Sequence, residues 1–97
     1  MLKLGSLIRK EREKRKLLLR EASALLEIDQ AILSKIERND RKATKEQVFK
    51  FSNIYKIDKE KLLTIWLADK IYGLVGKEEL GLKALKVAEK ELKYQKV

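Results

Sequence analysis

The chain has no cysteine, no histidine and no proline among its 97 residues. Without thiols or imidazoles it cannot form disulfides, thiolate or imidazole metal sites, or a nucleophile–base pair that uses cysteine or histidine. It also lacks a glycine-rich loop that could cradle phosphate, and no pair of acid and base groups stands out in the sequence. We therefore expect no metal, no cofactor and no enzymatic activity.

Long apolar runs are absent as well. A membrane-spanning helix needs about 20 consecutive, mainly apolar residues, whereas the apolar runs of this chain end after a few residues. The first residues, MLKLGSLIRK, also lack the apolar segment and the cleavage site of a signal peptide. We expect a cytoplasmic protein that does not enter a membrane.

Charge is abundant and unevenly distributed. The 24 lysines and arginines outnumber the 15 acidic residues, which gives a net charge of +9. Residues 1–20 carry eight basic and two acidic side chains, whereas residues 21–40 carry two basic and five acidic ones. A basic chain of this size favours polyanions, nucleic acid first and an anionic membrane surface second. An ordinary solvated surface is the alternative. The membrane role is disfavoured because the charges are spread over several helices that the core requires.

The composition predicts an all-α protein. Leucine, lysine, glutamate, alanine and isoleucine dominate, and β-branched residues never alternate over a strand length. Leu25 is expected to face inward, and Ile54 and Ile71 are expected to belong to the apolar faces of their helices. Caps and apolar spacing delimit the helices. They are predicted from about Leu4 to Lys16, from Leu19 to Leu26, after Asp29 to Glu37, after the capping box Thr44–Gln47, after Asp58 to a break at Gly73–Gly76, and from Lys77 to about Lys96.

The stretch EASALLEIDQAILSKIE, residues 21–37, holds two short helices separated by a turn around Glu27, Ile28 and Asp29. Helices of about eight residues are not stable alone in water and persist only when they pack on a scaffold. The neighbouring helices can supply that scaffold. This arrangement is the helix-turn-helix, whose second helix can project into the major groove of DNA.

Residues 4–63 resemble the Cro/C1-type (XRE) helix-turn-helix family of phage repressors and bacterial regulators. The resemblance is carried by LGSLIRKERE, REASALLEIDQAILSKIERND and TKEQVFKFSNIYKIDKEKLL. It implies a compact five-helix domain of the lambda-repressor type within residues 1–72. Residues 73–97 are then a C-terminal helical extension.

The sequence departs from the family pattern in the turns and at one helix start. Glu27 stands where glycine is usual. Leu18 and Leu19 replace the Ser/Thr cap and the glutamine that usually begin the second helix, which removes one polar contact with DNA. Asn39 replaces a further usual glycine, and asparagine tolerates the left-handed backbone conformation.

Four side chains of the third helix are candidates for reading bases. Leu33 and Ile36 are the apolar pair expected to face the core, which leaves the opposite face outward. The resemblance implies that this outward face reads DNA. Its chemistry suits the task, because glutamine pairs with adenine, lysine donates to guanine, alanine contacts a thymine methyl and serine serves either. An ordinary solvated face is the alternative. The candidates are Gln30, Ala31, Ser34 and Lys35.

Basic side chains flank the two short helices. They are suited to contacts with DNA phosphates, which position a protein on DNA without reading its sequence. The resemblance further implies a structural ion pair between Arg12 of the first helix and Glu37 at the end of the third. Other basic residues of the first helix, Lys10, Lys14, Arg15 and Lys16, are expected to be solvated. The phosphate candidates are Arg20, Arg38, Arg41, Lys42 and Lys45.

The last predicted helix carries an apolar stripe with no obvious partner inside a five-helix domain. Such a stripe is typically covered by a second copy, so we expect a homodimer. A two-fold dimer would read a near-palindromic operator whose half-sites lie about 34 Å apart. Trp66 is expected in the core or in this interface. The interface candidates are Trp66, Leu80, Ala84, Val87, Ala88 and Leu92.

Together these features predict a sequence-specific transcriptional regulator that binds double-stranded DNA as a homodimer. Compact regulators of this kind resemble phage repressors and the controller proteins of restriction–modification systems. The alternative is an antitoxin, or another regulator that neutralises a protein, whose C-terminal helices cover a toxin or other partner protein.

Overall fold

A computed structural model describes residues 3–95. Within that range the chain forms six α-helices and no strand, which confirms the predicted all-α fold class. The helices are α1 (Leu4–Lys14), α2 (Leu19–Leu26), α3 (Gln30–Glu37), α4 (Lys45–Tyr55), α5 (Lys59–Val75) and α6 (Gly81–Gln95).

The chain divides into two compact units, residues 1–67 and residues 68–97, and the division falls inside α5. The predicted domain boundary after residue 72 lies within the second of these units. In the first unit, α1 packs against α3 and α4, and α2 packs against the same two helices. The core between them is formed by Leu4, Ile8, Ala22, Leu26, Ile28, Leu33, Ile36, Ala43, Val48, Phe51, Tyr55, Leu62 and Trp66.

Side-chain caps fix the starts of α3 and α4, as predicted. The Asp29 carboxylate accepts hydrogen bonds from the backbone nitrogens of Ala31 and Ile32, at 2.9 and 3.1 Å. Thr44 Oγ1 accepts from the Gln47 nitrogen at 3.1 Å, and Gln47 Oε1 accepts from the Thr44 nitrogen at 2.9 Å. These bonds satisfy backbone donors that have no partner inside the helix, which is why each helix begins where it does.

The observed break overlaps the predicted break at Gly73–Gly76 only at Gly76. Helix α5 continues through Gly73 to Val75, because one glycine in a helix costs only about 1 kcal/mol relative to alanine. Turns follow, and α6 begins at Gly81 rather than at Lys77. A side chain at Gly81 would collide with the carbonyl oxygen of Val75, so glycine permits this close approach. The predicted end near Lys96 lies outside the described residues.

Three apolar residues are more exposed than predicted. Leu25 is 53% exposed, Ile54 38% and Ile71 44%. In α4 the error is one of register, because Tyr55 takes the buried position at the end of the helix and Ile54 lies beside it. In α2 the buried pair is Ala22 and Leu26, which leaves Leu25 at the edge of the core.

Trp66 is a core residue. It is 9% exposed, and its indole Nε1 donates a hydrogen bond to the carbonyl oxygen of Ala43 at 2.7 Å. This burial within a single copy of the chain removes Trp66 from the candidates for a dimer interface. The bond also fixes the connection between α3 and α4 against α5.

Arg15 is exposed, as expected, but it also makes structural contacts. Its guanidinium donates to Glu11 Oε1 at 2.5 Å and to the backbone carbonyl of Tyr55, and it lies over the Tyr55 ring at 5.0 Å. The hydrogen bond from Arg15 lowers the pKa of Glu11. Burial raises the pKa of Tyr55 to about 12. Arg15 thereby ties the end of α1 to the end of α4.

Arg12 and Glu37 form a bidentate ion pair between α1 and α3. Arg12 Nε donates to Glu37 Oε2 at 2.8 Å and Nη2 donates to Glu37 Oε1 at 3.0 Å. Their side chains are only 14% and 4% exposed. The hydrogen bonds that Arg12 donates to the Glu37 carboxylate raise the pKa of Arg12. Arg12 Nη1 also donates to the carbonyl of Leu17 at 2.8 Å, so one guanidinium joins two helices and the connection before α2.

Arg12→Ala is expected to lower the free energy of unfolding by about 3–5 kcal/mol, because it leaves the buried Glu37 carboxylate without its cation. Lys14→Ala, an exposed position of the same helix, is the control and should change that free energy by less than about 0.5 kcal/mol. Urea denaturation of both variants measures the difference. Similar midpoints for the two variants would contradict a structural role for the ion pair.

Candidate nucleic-acid interface

The turn between α2 and α3 is held by buried and hydrogen-bonded groups around a strained residue. Glu27 has φ 54° and ψ 45°, the left-handed conformation that side chains disfavour. Ile28 is buried in the core, and its carbonyl oxygen accepts from Ser23 Oγ at 2.5 Å. Lys50 Nζ of α4 donates to the carbonyl oxygen of Glu27 at 3.1 Å. These contacts hold Glu27 in a left-handed conformation at the position where the family usually has glycine.

Burial of Leu33 and Ile36 fixes the rotation of α3 about its axis. Of the four predicted base-reading residues, Gln30, Ala31 and Lys35 are exposed. Ser34 is half-buried. The four side chains share the face opposite the core, and two of them lie in the first turn of the helix.

All five predicted phosphate contacts are exposed. Arg20 lies in the first turn of α2, and the other four lie at and beyond the end of α3. Arg38 Nε is 3.6 Å from Asp40 Oδ2, and both side chains are more than half exposed. Such an exposed pair contributes little to stability, so Arg38 can exchange this partner for a phosphate. The four residues at and beyond the end of α3 are Arg38, Arg41, Lys42 and Lys45.

The start of α2 shows the effect of replacing a polar cap by leucine. Leu18 offers no side-chain acceptor, and Glu21 Oε1 accepts from the Leu18 backbone nitrogen at 2.8 Å. This is one half of a capping box. The helix therefore starts at the predicted residue with one stabilising bond fewer.

The end of α3 lies against the start of α1. Asn39 has φ 64°, the left-handed conformation predicted for it, and its Nδ2 donates to Ser6 Oγ at 3.2 Å. A side chain at Gly5 would collide with the Ile36 carbonyl oxygen and with Asn39. Glycine at this position lets the two helices meet at close range.

The second unit contains the remaining dimer-interface candidates. Ala84, Ala88 and Leu92 line an apolar groove of about 430 Å³ between the end of α5 and α6. Leu80 and Val87 are 64% and 62% exposed and lie outside the groove lining. The groove therefore takes up only part of the predicted stripe. The groove is completed by Ile71, Leu74, Val75, Leu85 and Glu89.

The described part of the chain shows neither a metal-binding cluster nor a membrane-spanning helix. Residues 3–95 contain no cluster of histidine, cysteine, aspartate or glutamate that could hold a metal ion. No helix in that range is both long and apolar enough to cross a membrane.

Comparison with known proteins gives a family and a fold. The sequence matches the helix-turn-helix family HTH_3 over residues 8–62. Among solved structures it is similar to the crystal structure of a hypothetical protein from E. coli, with a TM-score of 0.71 and 21% sequence identity. That likeness covers 88% of this chain and 87% of the other, and at this identity it supports the fold alone. No protein of curated function matches.

Glu27→Gly is expected to stabilise the fold by about 0.5–1 kcal/mol. A non-glycine residue in the left-handed conformation costs about 1–2 kcal/mol, and glycine removes this strain. Because glycine also gives the unfolded chain more freedom, about 0.4–1 kcal/mol of the stabilisation is lost. The bond from Lys50 goes to the backbone carbonyl and survives the change.

Lys10→Gly, in the interior of α1, is the matched control and should destabilise by about 1 kcal/mol. Thermal unfolding of both variants gives the two signs. A lower midpoint for Glu27→Gly would mean that the Glu27 side chain stabilises the turn by more than its backbone strain costs.

Proposed function

Because the chain belongs to the helix-turn-helix family, of the Cro/C1 (XRE) type, and is a DNA-binding transcriptional regulator, we propose that it binds a near-palindromic operator as a homodimer. The family is one of regulators rather than of enzymes. The observation that carries the proposal is the outward face of α3. Gln30, Ala31 and Lys35 are exposed there, opposite the buried Leu33 and Ile36.

In the proposed complex, the first turns of α3 enter the major groove. Gln30 reads adenine through its amide, Ala31 contacts a thymine methyl, and Lys35 donates to guanine. Arg20 and the basic residues that follow α3 contact phosphates and set the register of the protein on the duplex. The rigidity of the face supports this proposal, since Asp29 caps the helix and the core fixes its rotation.

The proposed dimer uses the groove of the second unit. Its lining is apolar apart from Glu89, and Leu74 and Leu92 are 78% and 59% exposed. Exposed leucines in contiguous apolar surface are a mark of interaction sites. In a two-fold dimer that binds DNA in this way, the two recognition helices lie about 34 Å apart on one face of the duplex.

Regulation of restriction–modification genes is proposed on the family resemblance alone. The second candidate is an antitoxin-like role, which the same open groove favours because a partner protein could cover it. Such a partner would compete with the second copy for this surface.

Gln30→Ala and Lys35→Ala are each expected to weaken operator binding by about 1–3 kcal/mol while hardly changing binding to random duplexes. The operator is first obtained by selection from random sequences with the purified protein. Affinities for operator and random duplexes are then measured at the same salt concentration.

Lys45→Ala is the matched control, since a phosphate contact should weaken binding to both duplexes alike. Equal losses on random DNA for Gln30→Ala and Lys35→Ala would move those residues to the phosphate class. Absence of any preferred sequence in the selection would contradict the proposed specific binding.

Ala88→Glu is expected to convert the dimer to a monomer, because it puts a charge into the apolar groove. Val87→Glu is the control, since it introduces the same charge one residue away on an exposed position outside the groove. Sedimentation of the two variants and of the unchanged chain measures the oligomeric state.

Dissociation by Val87→Glu alone would assign the interface to the surface that carries Leu80 and Val87. An unchanged chain that sediments as a monomer would contradict the dimer and favour the partner-protein role for the groove.

A further inference from the structure

A small cleft beside α3 has a composition that base reading does not explain. It measures about 220 Å³ and lies between α1, the start of α2 and the second half of α3. Three guanidinium groups and one carboxylate line it. The cleft therefore carries a net positive charge next to the proposed recognition surface. Its lining residues are Arg9, Arg12, Leu19, Ser34, Glu37 and Arg38.

The surplus charge comes from Arg9 and Arg38. Arg12 and Glu37 neutralise each other through two hydrogen bonds, at 2.8 and 3.0 Å. Arg9 Nε is 3.5 Å from Glu13 Oε2, and Arg38 Nε is 3.6 Å from Asp40 Oδ2. All four of these side chains are more than half exposed. Exposed pairs at such distances contribute little, so both guanidiniums can turn to a stronger anion.

The cleft also explains why Ser34 is half-buried while its neighbours on the same helix face are exposed. Its side chain lines the cleft wall with Leu19. A hydroxyl in that position can donate one hydrogen bond to an oxyanion. Arginine forks on either side suit the tetrahedral oxygens of a phosphate, which they bind in bidentate fashion.

We propose that this cleft binds one phosphate of the DNA backbone, held by Arg9 and Arg38 and by the hydroxyl of Ser34. The proposal rests on the DNA binding proposed above and adds a contact from α1. It makes Ser34 a positioning residue that is indifferent to sequence, unlike Gln30 and Lys35. Arg12 forms part of the cleft wall, and its ion pair with Glu37 joins α1 to α3 there.

The test is the salt dependence of DNA binding by the full chain. The slope of log affinity against log salt is negative, and each lost phosphate contact makes it less steep by about 0.9. The affinity advantage of the unchanged chain over Arg9→Ala should therefore shrink by about 3.5-fold when salt rises from about 50 to about 200 mM. Lys10→Ala is the matched control, because it removes the same charge from an exposed neighbouring position that does not line the cleft.

A second variant tests the role of the hydroxyl. Ser34→Ala should weaken binding to the operator and to random duplexes by the same factor. A loss confined to the operator would return Ser34 to the base-reading class and overturn this part of the proposal. Thermal unfolding of each variant verifies that affinity is compared between folded proteins.

The outcomes separate the cleft from the broader function. If Arg9→Ala and Lys10→Ala give the same affinities and slopes, the charge of Arg9 acts only through the general field and the cleft proposal is wrong. If the unchanged chain shows no salt-dependent binding to any duplex, the proposed DNA binding itself fails. A reduced slope for Arg9→Ala alone supports the assignment.

Discussion

The pairing of Arg12 with Glu37 sets the position of α3 on the first unit. Helix α3 is too short to be stable alone, so its orientation depends on tertiary contacts. Leu33 and Ile36 supply apolar contact, which is not directional. The bidentate fork is directional, because both oxygens of Glu37 must meet the guanidinium plane at once. Loss of either partner would leave a buried charge, so alternative placements of α3 are strongly disfavoured.

The acidic segment 21–40 shows why a local charge count misleads. Three of its five acidic side chains have structural partners. Asp29 caps α3, Glu21 accepts from the backbone at the start of α2, and Glu37 pairs with Arg12. These three negative charges hold the two short helices in place. The outward face of α3 carries only neutral and basic candidates.

Local signals in the sequence predicted most of the first unit. The bounds of α2 and α3 follow from Asp29 and from apolar spacing, which act within a few residues. Contacts between distant segments escaped prediction. The half-burial of Ser34 depends on a cleft that α1 helps to form, and the continuation of α5 through Gly73 reflects a small glycine cost that no local pattern reveals. The spacing of Arg9 and Arg12, which share a helix face, was the one available sign of that cleft.

The burial of Trp66 makes it an intrinsic fluorescent probe of the fold. The chain has one tryptophan, so its emission comes from a single known environment. Its indole is shielded by the core and bonded to the carbonyl of Ala43, in the connection that also carries Arg41 and Lys42. Exposure to water on unfolding should shift the emission to longer wavelength. A ligand that draws this connection outward would disturb the same bond. Trp66 fluorescence can therefore follow both unfolding and the binding of a ligand to the connection between α3 and α4, without an added label.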